Sequence, residues 1–101
     1  MREDRDDFKL MVTVGLPSYL QQFAAGKERV EVNSGGSLRK VLSELGKLYP
    51  GVKTRVLTEQ GEIRPHINVF VGERNSRFEN GLETVVPDGA EVLILAAVSG
   101  G

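Results

Sequence analysis

Glu91-Val92-Leu93-Ile94-Leu95-Ala96-Ala97-Val98 is followed in the sequence only by Ser99-Gly100-Gly101. The run is apolar at successive positions, not at alternate ones. That pattern, apolar on both faces, belongs to a strand with neighbours on both sides. It predicts a last strand lying centrally in a sheet. Pro87-Asp88-Gly89 just before it is a turn, with each residue suited to its place. Thr84 to Val86 is short and apolar, Asn80-Gly81 is another turn, and Arg77-Phe78 reads as a short strand. Gly72 to Asn75 turns the chain after His66 to Val71, a β-rich run with Ile67, Val69 and Val71 on one side.

The other end of the sequence supplies the sheet's partners. In Phe8 to Leu16, the residues Phe8, Leu10, Val12, Val14 and Leu16 share one face, a period of two that predicts a strand with one buried side. Pro17 ends it. Ser18 is read as an N-cap, with Tyr19, Leu20 and Phe23 on one side of a short helical turn that Gly26 closes. Glu28 to Asn33 alternates again, with Val30 and Val32 inward, and should pair with the first strand as an antiparallel hairpin. Leu38, Val41, Leu42, Leu45 and Leu48 then recur at helical spacing behind Ser37 as N-cap, with Arg39, Lys40, Ser43, Glu44 and Lys47 on the wet side. Gly46 weakens the last turn, and Pro50-Gly51 stops the helix. Val52, Val56 and Leu57 form a further short helical piece, and Glu59-Gln60-Gly61 a turn.

The order is strand, strand, helix, then strands, with the first and last parallel neighbours and the helix expected to cover one face of the mixed sheet. This is an α+β class architecture, the β-grasp or ubiquitin-like fold, with a mixed sheet of four to five strands packed against one main helix. Residues 1–7 read as a charged, flexible N-terminal arm, 8–98 as the domain, and 99–101 as a flexible tail.

Composition narrows the function. The chain has 101 residues, the size of one domain with little room for an internal cleft. A net charge of −1 argues against nucleic acid and against an anionic membrane surface. There is no cysteine, which removes disulfides, thiolate-bound metal and thiol catalysis, and fits a reducing, cytoplasmic setting. The one histidine, His66, stands alone at a strand start. Asp4, Asp6 and Asp7 lack a His or Cys partner for a metal, and Ser18, Ser34 and Ser37 lack a base and read as caps and turn formers. Ser34-Gly35-Gly36-Ser37 precedes a helix but lacks the lysine of a phosphate loop and the dinucleotide fingerprint. Arg64, Arg74 and Arg77 read as a solvated rim.

What remains is Gly100-Gly101 directly after a rigid strand. Without Cβ atoms, such a segment is thin enough to enter a narrow channel, and its terminal carbonyl is unhindered. A terminal carboxylate is ionised at neutral pH and is a poor electrophile. It needs ATP-dependent activation, for example as an acyl-adenylate, before a nucleophile attacks. The chain has no convincing site for ATP, so a separate enzyme must supply the activation. The protein is then expected to be a carrier or co-substrate and not an enzyme.

Asn68-Val69-Phe70-Val71, Arg77-Phe78, Gly81-Leu82-Glu83-Thr84, Asp88-Gly89-Ala90-Glu91-Val92 and Ile94 to Gly101 together resemble the MoaD/ThiS sulfur-carrier family, in particular the MoaD-like branch that includes the CysO carrier of cysteine biosynthesis. The resemblance covers about Phe8 to Gly101. It implies that an E1-like adenylyltransferase adenylates Gly101 using ATP and magnesium, and that a thiocarboxylate formed there donates sulfur to a biosynthetic enzyme. No cofactor would be bound by the chain itself. It further implies tail access through Gly100 and Ser99, and partner docking by Phe78, Ala96, Ala97 and Val98, with Leu95 read as core. A metalloprotease or sulfurtransferase is a further implied partner, and neither nucleic acid nor membrane is expected. Relatives often carry proline where this chain has Ala96. Two related readings stay open: the small subunit of molybdopterin synthase, and a ubiquitin-like modifier joined to lysines.

Overall fold

The computed structural model describes residues 11–96. Among them are seven strands and three helices. β1 (Met11–Gly15) buries Val12 and Val14, and β2 (Arg29–Asn33) buries Val30 and Val32. They pair antiparallel, with Val14 opposite Val30 and Val12 opposite Val32. Between them lie α1 (Ser18–Gln21) and a 3-10 turn, Gln22–Ala24. Pro17 occupies the N-cap position with no side-chain cap bond, so Ser18 is the first helical residue and not the cap. Phe8 and Leu10, expected on the first strand, lie outside the described residues, as does the 1–7 arm.

α2 (Leu38–Leu48) is the main helix, and the Ser37 hydroxyl accepts from the Lys40 amide at 3.2 Å, as the sequence predicted. Leu38, Val41, Leu42 and Leu45 are buried. Leu48 departs from the stripe and is 54% exposed. Pro50 and Gly51 stop α2 but also open α3 (Pro50–Val56), where proline's missing N–H costs nothing in the first turn. Gly46 has a packing reason: a Cβ there would collide with the Lys53 side chain, so glycine lets α3 fold back closely on α2.

β3 (Gly36–Ser37) and β6 (Val85–Val86) form a small separate ladder. β4 (Ile67–Val71) and β5 (Arg74–Asn75) form a tight hairpin. β7 (Glu91–Ala96) completes the main sheet, whose strand order is β2-β1-β7-β4-β5. β7 is central, parallel to β1 and antiparallel to β4. The β-grasp fold is thus as expected.

Burial on β7 follows the expected arrangement, in which the helix layer covers one face of the sheet. The strand alternates: Val92 and Ile94 are fully buried, while Leu93 and Leu95 are 40% and 39% exposed. The helices cover one face of the sheet only. Leu95 is therefore not core, and a central strand here is apolar on its open face as well. Arg77-Phe78 is no strand. Ser76–Phe78 is a 3-10 turn, with the Asn75 side chain accepting from the Arg77 amide at 3.0 Å.

Candidate functional site

The end of β7 is the place the sequence singled out, and pairing fixes it firmly. Ala96 sits opposite Ile67 and Leu95 opposite Asn68 on β4. On the uncovered face, Leu93 lies opposite Phe70 on one side and Gly15 on the other. A Cβ on Gly15 would come within 2.9 Å of a Leu93 methyl carbon, so the glycine makes room for that leucine to lie flat over β1. Leu93, Leu95 and Phe70 form an apolar stripe leading to the last described residue of the strand. Asn68 and Asn75, joined at 3.2 Å, border it with polar groups. A stripe of this kind, exposed on one side of a rigid sheet, can be buried by a partner that also grips the chain beyond the strand.

Phe78 stands clear of the core, 78% exposed. Its neighbour Arg77 anchors the turn by donating to the carbonyls of Pro65 at 2.9 Å and Ile67 at 3.4 Å, the latter opposite Ala96. Phe78 is thus displayed from a segment tied to the same end of the sheet. Ala96 is exposed. Ala97, Val98, Ser99, Gly100 and Gly101 lie outside the described residues. Beside this end is a groove of about 470 Å³ lined by Ile63, Pro65, Ile67, Leu82 and Arg77 among others. The sequence reading missed both this groove and the leucines of the open face. The double apolar character of β7 held the signal for the leucines, but it could equally be read as two-sided burial.

The other sequence candidates are occupied by structure. Arg64 donates to the Thr54 carbonyl at 2.8 Å, and Arg74 lies 3.7 Å from Glu79. The Ser34 to Ser37 loop is a poor anion cradle. The Ser37 hydroxyl is used as a cap, and a Cβ on Gly35 would meet the Asp88 carboxylate at 2.9 Å, which puts negative charge beside the loop. His66 is exposed. Among the described residues, no cluster of three His, Cys, Asp or Glu could hold a metal ion, and no helix is long and apolar enough to cross a membrane.

The ThiS family sequence model matches residues 14–101, which takes in the whole sheet except the start of β1. The chain belongs to the ThiS family. It is 36% identical over 92 residues to the sulfur carrier protein CysO of Mycobacterium tuberculosis, covering 89% of this chain and 98% of that protein. It is 32% identical over 94 residues to a putative sulfur carrier protein of Archaeoglobus fulgidus, covering 91% and 100%. Its fold is similar to that in the crystal structure of the BexX/CysO complex of Amycolatopsis orientalis, with a TM-score of 0.81 and 34% identity over 89% of this chain and 99% of that one. The ThiS family and CysO relatives agree with the family resemblance seen in the sequence.

Proposed function

We propose that this protein is a sulfur carrier that bears its sulfur as a thiocarboxylate on Gly101. The observation that carries this reading is the family match running to Gly101, in a chain whose central strand ends five residues earlier in a fixed register with β4. The absence of cysteine supports it on chemical grounds, because the chain has no thiol on which to hold transferable sulfur.

Two displacements convert the carboxylate into the sulfur donor. In the first, a carboxylate oxygen of Gly101 attacks the α-phosphorus of ATP, and pyrophosphate leaves. A separate E1-like enzyme supplies the ATP, the magnesium and the charge stabilisation of that step. In the second, the acyl-adenylate is attacked at carbon by a sulfide-level sulfur nucleophile, and AMP leaves with the bonding pair. The thiocarboxylate that remains is a soft nucleophile, which then passes sulfur to an acceptor in a biosynthetic enzyme. This chain contributes the thin Gly100-Gly101 end, with Ser99, and a docking face. That face comprises Phe78, Ala96, Ala97 and Val98, with Leu93, Leu95 and Phe70 on the open sheet. The protein is a co-substrate in this scheme and not a catalyst.

Intact mass spectrometry of the protein from its native cell tests the proposal. A fraction with one terminal oxygen replaced by sulfur is expected, together with its loss when Gly101 is deleted. If ATP, a cognate E1-like enzyme and a sulfide source never produce that species, the reading fails. Recovery of lysine-linked conjugates in place of the thiocarboxylate would turn it into a modifier.

A further inference from the structure

β2 is an edge of the main sheet, and its hydrogen-bonding direction can be read from its neighbours. The Leu16 amide donates to the Glu28 carbonyl at 2.9 Å, whereas the Thr13 amide donates to the Ala90 carbonyl at 3.2 Å. Even-numbered residues of β1 therefore face β2, and odd-numbered ones face β7. By the alternation of an antiparallel ladder, Val30 and Val32 turn their amides and carbonyls to β1. Arg29, Glu31 and Asn33 turn theirs outward. Among the described residues, none of these three makes a backbone hydrogen bond on that outer side. The edge carries no proline and no bulge, two of the usual protections against pairing.

Its charges are of opposite sign at successive outward positions. Arg29 and Glu31 share the exposed face of β2, flanking Val30. Opposite signs at this spacing are self-complementary about a two-fold axis through Val30. In that antiparallel register, Arg29 falls opposite Glu31 of a second copy and Glu31 opposite its Arg29, and both pairs meet with their backbone groups facing each other. A slip by two residues instead sets Glu31 against Glu31, which is repulsive. A slip by one residue puts side chains on the wrong face. The groove along this edge, lined by Val30, Arg29, Leu48 and Tyr49, contains the exposed Leu48.

We infer that this edge pairs with β2 of a second copy of the chain, in the single register that sets Arg29 against Glu31 across the two-fold axis. The pairing makes one continuous ten-stranded sheet. β1 stands between β2 and β7, so the open face of β7 stays uncovered. The two β7 strands run in opposite directions, and their C-terminal ends lie on opposite sides of the pair. A five-residue edge is small beside the roughly 1,200–2,000 Å² of stable complexes, so the association is weak and belongs to high protein concentration.

Sedimentation velocity and concentration-dependent amide shifts of the full chain test this. The expected result is self-association that shifts the amides of Arg29, Glu31 and Asn33 and weakens with added salt. Glu31→Arg and Arg29→Glu each set like charges opposite one another, and each should weaken association on the order of tenfold. The double swap, R29E with E31R, should restore it. Arg29 and Glu31 are both exposed, and Arg29 also lies 3.9 Å from Glu91 of its own chain, so urea unfolding of each variant is measured beside the association and Glu31→Arg, which leaves that pair intact, is the deciding single change. A protein that stays monomeric at the highest attainable concentration overturns the inference. So does a double swap that behaves like the single variants, or association abolished by Leu95→Asp and indifferent to both charge changes.

Discussion

Ile94 and Leu95 are adjacent, similar in size and indistinguishable in hydropathic pattern, yet one is fully buried under the helices and the other faces solvent. The difference predicts opposite behaviour. Ile94→Ala opens a cavity in a close-packed layer and should cost about 2–5 kcal/mol in urea unfolding. Leu95→Ala removes a half-exposed side chain and should stay within about 0.5 kcal/mol of the parent. If the open face meets the activating enzyme, Leu95→Asp should raise the KM for the carrier in the adenylation reaction while leaving the urea midpoint nearly unchanged. The sequence marked both residues as strand residues. It held no information on which face the helices would cover, because alternation is silent where both faces are apolar.

α2 was the most legible element. Five leucine and valine positions at helical spacing, four of them buried, with a serine before them and a proline after them, specify the start, the face and the stop locally. Ser37→Ala should cost about 1 kcal/mol in urea unfolding, since the Lys40 amide would lose its partner. Ser37 also lies in the β3–β6 ladder, so the first turn of α2 is held from two directions. By contrast, Arg77-Phe78 was misread as a strand. A basic residue next to an aromatic one suits a sheet edge, but the Asn75 side chain caps the segment and Arg77 ties it to two carbonyls, which turns it into a helical turn. The same tertiary bonds display Phe78. The exposed pair Arg39–Glu83, at 2.7 Å, joins α2 to the 3-10 turn Gly81–Glu83 across 44 residues of chain, a distance no local pattern encodes.

Over the whole molecule, the central strands are joined on both sides and the outer ones on one. Amide exchange should track that order. The amides of β1 and β7 are expected to exchange slowest, near the global unfolding limit, and those of β5 and β6 fastest. Slow exchange in β6 with fast exchange in β7 would contradict the observed topology. Local rules were enough for the β-grasp order: two alternating strands, one capped helix and a final apolar strand leave few ways to bury their faces. Only the tertiary structure decided which side of the last strand the helices cover, which puts Leu93, Leu95 and Phe70 on the open face. It also showed that Phe78 projects from a turn anchored beside Ala96, and that, among the described residues, the outer side of β2 has no strand partner. The physical reason is one of range. Periodicity, caps and turns arise from neighbours a few residues apart, whereas exposure depends on what packs against a surface from elsewhere in the chain.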